Sequence, residues 1–217
     1  MSDFDGRRRV VFTWRSFFMV RDGYKFVIPM LILAGLSTLL HPALMMILAI
    51  LAAFTMFFFR NPCRNIPDGT NLIVSPADGK VVKISKDETG EQTLCIFLNV
   101  FNVHVNRAPI AGSVARFEYR RGKFKVAFDE EASRVNEQNI VSFAGPDVSI
   151  VVKQVAGLIA RRVVCWKKPG DAVERGELFG LIRFGSRVDM IMPACVNIRV
   201  CVGDKVRGGS TIIGDYK

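Results

Sequence analysis

Imidazole is the side chain best suited to moving protons near neutral pH, and this sequence has two histidines, His41 and His104. Two are too few for a His-rich metal site. His41 sits in a long apolar stretch beside Pro42, which leaves His104 to serve any folded, water-facing domain. It lies in Asn102-Val103-His104-Val105-Asn106-Arg107-Ala108-Pro109, a polar cluster that follows a strand-like run. A lone histidine is often a satisfied core residue, and the polar neighbourhood is what recommends this one.

Two other segments could act with it. Ser75-Pro76-Ala77-Asp78-Gly79 has the composition of a tight turn, and a carboxylate there could orient an imidazole as the acidic member of a triad does. Gly185-Ser186 interrupts an apolar strand, where glycine weakens the strand and a buried hydroxyl needs a partner. A bulge is one explanation. The chemical one is that Gly185, lacking a Cβ, leaves its carbonyl open to attack by the Ser186 hydroxyl, given a nearby base. A second Gly-Ser pair, Gly209-Ser210, follows a turn. Cleavage there would release only eight residues, so Ser186 is preferred.

The elements that position these residues can be read from the distribution of charge. The chain has 217 residues, is 50% hydrophobic and 23% charged, and carries a net charge of +10. Disorder is excluded by the apolar content. No Asp, Glu, Lys or Arg occurs in the 34 residues from Phe26 to Phe59, while Arg7, Arg8, Arg9, Arg15, Arg21 and Lys25 precede them and Arg60 and Arg64 follow. One helix of that length would measure about 51 Å, too long for a hydrocarbon core of about 30 Å. His41-Pro42 divides it into Phe26–Leu40 and Leu44–Phe59, suited to a hairpin that enters a bilayer and returns. Basic residues at both outer ends place the rest of the chain on the cytoplasmic side of a cell membrane. Two buried helices of a soluble core are the alternative. The sequence thus divides into a basic segment 1–25, a membrane-associated helical hairpin 26–59 and a domain 60–217. The positive charge suits anionic lipid and needs no nucleic acid. Cys63, Cys95, Cys165, Cys195 and Cys201 are odd in number without CxxC spacing, and read as reduced core thiols.

Beyond residue 60 the pattern is mostly β: short apolar runs at Leu72–Val74, Val81–Ile84, Thr93–Leu98, Val148–Val152, Leu178–Phe184, Val188–Met192 and Val196–Val202, punctuated by Gly, Pro and Asp. Pro169-Gly170-Asp171-Ala172-Val173-Glu174-Arg175-Gly176 recurs as Val202-Gly203-Asp204-Lys205-Val206-Arg207-Gly208-Gly209. Such Gly-Asp turns resemble the hairpins of lipoyl- and biotinyl-type barrels. The Met-Lys dipeptide typical of a carrier is missing. Arg116, Arg120, Arg121, Lys123 and Lys125, with Arg161, Arg162, Lys167 and Lys168, are either lipid-facing or solvated, and Asp129-Glu130-Glu131 reads as a solvated loop.

Ser-Pro-Ala-Asp-Gly (75–79), His-Val-Asn-Arg-Ala-Pro (104–109) and Arg-Phe-Gly-Ser (183–186), in this order, resemble the short form of phosphatidylserine decarboxylase. Phe-Arg-Asn-Pro (59–62), Asn136-Glu137-Gln138-Asn139 and Gln154-Val155-Ala156-Gly157 extend the likeness. The resemblance implies self-cleavage at Gly185-Ser186, with Asp78 orienting His104 and His104 taking the proton from Ser186. It further implies a pyruvoyl cofactor derived from Ser186, which forms a Schiff base with the amine of a serine phospholipid and acts as electron sink. Chains 1–185 and 186–217 would stay together as a heterodimer, with further homo-oligomerisation left open. Arg107 stands where larger relatives carry a second histidine, so that histidine's role does not transfer. Rival readings are a non-enzymatic membrane adaptor with a lipoyl-like barrel, and a membrane-tethered serine hydrolase using the same three residues.

Overall fold

A computed structural model describes residues 18–123, 132–157, 162–183 and 186–217. The described residues divide into two units, one within 18–63 and the other within 64–217.

The first unit is a helical pair. Helix α1 (Arg21–Ser37) begins five residues ahead of the boundary read from charge, because Arg21, Asp22 and Lys25 occupy its first turns without breaking it. Helix α2 (Pro42–Phe58) starts as the His41-Pro42 pair dictates. Proline fits the first helical position, where its missing N–H costs nothing, and Nδ1 of His41 accepts from the Ala43 amide at 3.1 Å. His41 is thus a helix cap. At the open end, Val20 N–H donates to the Phe59 carbonyl and Asn61 N–H to that of Phe18. Each helix has 17 residues, about 25 Å. Among the described residues no helix is long and apolar enough to cross a membrane. Large apolar side chains are nevertheless exposed along both, including Leu39 and Leu40 at the tip, 85% and 79% exposed.

The second unit is mostly β. Its elements are β1 (Leu72–Val74), β2 (Gly79–Lys86), β3 (Gln92–Leu98), β4 (Val105–Arg107), β5 (Gly112–Arg120), the short helix α3 (Ala132–Val135), β6 (Gln138–Ala144), β7 (Ser149–Val155), β8 (Val163–Cys165), β9 (Ala172–Val173), β10 (Leu178–Ile182), β11 (Ser186–Met192), β12 (Val196–Ile198), β13 (Lys205–Val206) and β14 (Ile212–Tyr216). The main sheet runs β13-β2-β3-β11-β7-β6-β5-β9, and two smaller sheets run β4-β10-β8 and β1-β14-β12. Every pairing between these strands is antiparallel.

The repeated Gly-Asp segment proves to be half of a larger duplication. Val206 pairs with Gly79 at one end of the main sheet, and Val173 pairs with Gly112 at the other. Val81 N–H donates to Asp204 O as Val114 N–H donates to Asp171 O. Gly209 N–H reaches Ser75 O as Gly176 N–H reaches Ala108 O, each at 2.8 Å. Both β2 and β5 break register just after the equivalent valine. The two outer ends curl toward each other around Ile66. A Cβ on Gly176 or Gly209 would strike Ile66 at 2.3 or 3.1 Å, and both residues hold positive φ, so glycine is required twice over. The result is a half-barrel.

Its concave face carries the core, with Leu94, Ile96 and Leu98 of β3 beside Val188, Met190 and Met192 of β11. Strands β5 and β6 escape the sequence pattern because β5 alternates apolar residues with Arg116, Glu118 and Arg120, a half-solvated strand. Arg116 and Arg120 both pair with Glu118. Lys125, residues 129–131, Arg161 and the N-terminal arginines lie outside the described residues. The thiol expectation needs correction: all five cysteines are free, but Cys63, Cys195 and Cys201 are exposed, Cys165 is half-buried and only Cys95 is fully in the interior. Cys195 sits in a turn, and Cys63 and Cys201 in irregular segments.

Candidate active site

Ser186 is the first residue of β11, just after the chain leaves β10 in one sheet and enters the main sheet. It stands opposite Leu98. Strand alternation puts its side chain on the concave face with Val188 and Met190, and the residue is wholly buried. Its hydroxyl has no hydrogen-bond partner among the described residues. Leaving such a group unsatisfied costs about 1–3 kcal/mol, so the position asks for an explanation. Gly185 lies outside the described residues.

His104 enters from the neighbouring crossing. Its carbonyl accepts from Ile182 N–H at 3.2 Å, four residues before Ser186, while Leu98, which pairs with Ser186, lies six residues before His104. The described ends of the connection between β10 and β11, Ile182 and Ser186, therefore both lie against the segment 98–104 that carries His104. The imidazole is wholly buried. Nδ1 lies 2.9 Å from the Asn102 carbonyl. A carbonyl only accepts, so Nδ1 carries the proton and Nε2 is the basic nitrogen.

Asp78 is engaged elsewhere. Arg64 donates to both carboxylate oxygens at 2.9 and 2.7 Å, and Gly208 N–H adds a third bond at 2.8 Å. The contact expected with His104 is not among these bonds, and the orienting acceptor at Nδ1 is Asn102. The turn at 75–79 still joins the site, because Pro76 O accepts from Arg107 N–H at 2.9 Å. Arg107 itself turns to the Gly176 carbonyl, so in this fold it braces the duplicated turn.

A chain of buried amides runs beneath the site. Asn139 Nδ2 donates to Gln154 Oε1 at 2.9 Å, and Gln154 Nε2 donates to Asn106 Oδ1 at 2.7 Å. Gln154 pairs with Val188 across the sheet, so its side chain shares the concave face with Ser186. Gly180 makes room for this amide, since a Cβ there would sit 2.7 Å from Gln154 Nε2. The sequence singled out all three segments, but no role for these amides was read from it. The available signal was polar residues at inward-facing positions of apolar strands.

On the other face of β11, Arg187 and Asp189 form a buried ion pair at 2.5 Å. Ser133 of α3 donates to the second oxygen of Asp189, and Arg187 reaches Cys95 Sγ at 2.9 Å. Burial, reinforced by the Asp189 charge, pushes the Cys95 thiol up to about 12.

Comparison with known proteins decides the family. The model of the family described as phosphatidylserine decarboxylase matches residues 51–214. The chain belongs to the phosphatidylserine decarboxylase family. Its relatives include a phosphatidylserine decarboxylase proenzyme of Syntrophus aciditrophicus (strain SB), 45% identical over 92% of this chain and 98% of the relative. The corresponding proenzyme of Solibacter usitatus (strain Ellin6076) is 53% identical over 76% of this chain and 80% of its own. That of Desulfotalea psychrophila (strain LSv54 / DSM 12343) is 46% identical over 86% and 93%. Phosphatidylserine decarboxylases are carboxy-lyases, and the relatives' designation as proenzymes fits a chain made as a precursor.

Proposed function

We propose that this chain decarboxylates phosphatidylserine to phosphatidylethanolamine after cutting itself between Gly185 and Ser186. The observation that carries the cleavage site is the Ser186 hydroxyl, wholly buried, without a hydrogen-bond partner among the described residues and set at the switch between two sheets. A hydroxyl kept from hydrogen bonding is not stabilised as a ground-state alcohol. That suits a nucleophile.

His104 Nε2 takes the proton from Ser186 Oγ, and Oγ attacks the Gly185 carbonyl carbon. The peptide C–N bond breaks as the ester C–O bond forms, and the proton passes to the nitrogen. Loss of the Ser186 α-proton then expels the Gly185 carboxylate. The remaining enamine tautomerises and is hydrolysed, releasing ammonia and leaving a pyruvoyl group at 186. That group supplies an electron sink for loss of carbon dioxide. His104 Nε2, the one imidazole of this unit, would return a proton to the substrate carbon. Asp78 acts at one remove, holding the turn at 75–79 through Arg64 and Gly208.

Chain 186–217 would contribute β11 through β14. Because β11 lies between β3 and β7, the two products remain one body, a heterodimer. Cleavage at Ser210 would release only β14 from a half-buried turn, which favours Ser186. The Gly-Asp hairpins at 169–176 and 202–209 are of the lipoyl and biotinyl barrel kind, used here as scaffold. The exposed α1–α2 pair, free of charge from Phe26 to Phe58, supports a re-entrant membrane anchor, with the catalytic unit on the cytoplasmic side against anionic lipid.

One denaturing gel with intact mass tests the reading. A fragment beginning after Gly185, with a blocked amino terminus that borohydride reduces, is the expected result. A wild-type protein that stays uncut and active would overturn the pyruvoyl mechanism, and a free amino-terminal serine would indicate plain hydrolysis.

A further inference from the structure

We infer that the buried Arg187–Asp189 pair is a register lock that holds residue 186 in place after the chain ahead of it has been cut. The inference rests on the proposed cleavage at Gly185-Ser186.

Cleavage turns an interior residue of a sheet into a chain end, and chain ends fray unless tied down. The group at 186 must nevertheless stay aligned to within about 0.5 Å to react. Backbone pairing is one-sided there, as it is at Met192: β3 meets β11 from Ser186 onward, but β7 only from Arg187. A slip of one residue would also reverse the faces, sending position 186 outward and Arg187 into the apolar core. Arg187 is the first side chain able to prevent either event. It is 6% exposed on the outer face, donates to Asp189 two residues along, and reaches across to Cys95 on β3. Asp189 is in turn held by the Ser133 hydroxyl from α3. The lock therefore ties the new terminus to its own strand, to the adjacent strand and to the helix behind it. A buried pair of this kind contributes little net stability against apolar replacements, and fixing register is its best-attested use. Arg187 and Asp189 are positioning residues, since they lie on the opposite face of β11 from the reacting group.

The test is the double variant Arg187→Met with Asp189→Leu, measured on processed enzyme with pyruvoyl content titrated by borohydride. The expected result is a fragment beginning after Gly185, a comparable Tm and KM, and a kcat per pyruvoyl group reduced about ten- to a hundredfold. Hydrogen exchange should rise at the amides of 187 and 188 and not in the rest of β11. Arg187→Lys, which keeps the charge with a single ammonium, should restore part of kcat, and it is scored identically if the double variant remains uncut. Unchanged kcat per pyruvoyl group with unchanged exchange would overturn the lock. A wild-type fragment starting anywhere else would overturn the cleavage reading itself, a result the mass alone reveals.

Discussion

Replacing Ser186 by alanine should abolish cleavage and at the same time stabilise the uncut chain. Substitutions at a wholly buried position usually destabilise, so the combination is informative. The magnitude follows from the hydroxyl's surroundings. Its oxygen is buried on the concave face and has no hydrogen-bond partner among the described residues. Removing an unsatisfied group recovers about 1–3 kcal/mol, while alanine keeps the Cβ that packs beside Leu98. At about 2–4 °C per kcal/mol for a domain of this size, Tm should rise by about 2–12 °C. The comparison must be made with uncut wild type, so pulse proteolysis in urea on freshly synthesised chain is the appropriate assay, with a gel scoring cleavage in the same samples. A Ser186→Ala chain that still cuts would remove Ser186 as nucleophile. A chain that stays whole but is destabilised by more than about 1 kcal/mol would show that the hydroxyl has a stabilising partner, and the argument from its isolation would fail.

Four further outcomes follow from the same geometry. His104→Gln should slow cleavage about 10²- to 10⁴-fold in a timed gel assay, since it removes the one imidazole of the β unit. Gln154→Leu should lower unfolding stability by about 2–4 kcal/mol in urea titrations, because it strands the Asn139 donor and the Asn106 acceptor together in the core. Cys63, Cys195 and Cys201 should react quickly with a thiol reagent at pH 8, and Cys95 only on unfolding. With its pKa raised from 9.0 to about 12 by burial, Cys95 keeps its proton in the folded chain while the unfolded chain loses it. Stability should therefore fall as pH rises from about 9 toward 12, and Cys95→Ala should flatten that slope.

The candidate residues were more legible in this sequence than the contacts they make. Counting histidines isolated His104, and a glycine-serine pair inside an apolar run isolated Ser186, because both are costly choices in a strand-rich core. Asp78 was placed against His104 because triads suggest it, yet its partner is Arg64, fourteen residues upstream, and no local pattern announces a tie between a linker and a turn. The repeat at 169–176 and 202–209 was visible through its glycines and aspartates. Its partners at 75–81 and 108–114 share only proline, glycine and valine, too little to see until backbone bonds matched them. Arg187 and Asp189 alternate with Val188 and Met190, which normally marks a solvated face. Here both faces are covered, so alternation no longer separates inside from outside.

With the cut proposed between Gly185 and Ser186, the central place of β11 would alter the molecularity of the protein's own folding. Before the cut, folding is a first-order event along a single chain. Afterwards the strand that completes the sheet belongs to a different molecule, and renaturation becomes a bimolecular encounter between a long chain with a gap in its sheet and a short one with little core of its own. Dilution then favours the unfolded pair, as it does in any obligate assembly. On that reading the active protein would persist because it folds while still one chain, and the barrier to losing that strand, more than the equilibrium, would set its lifetime.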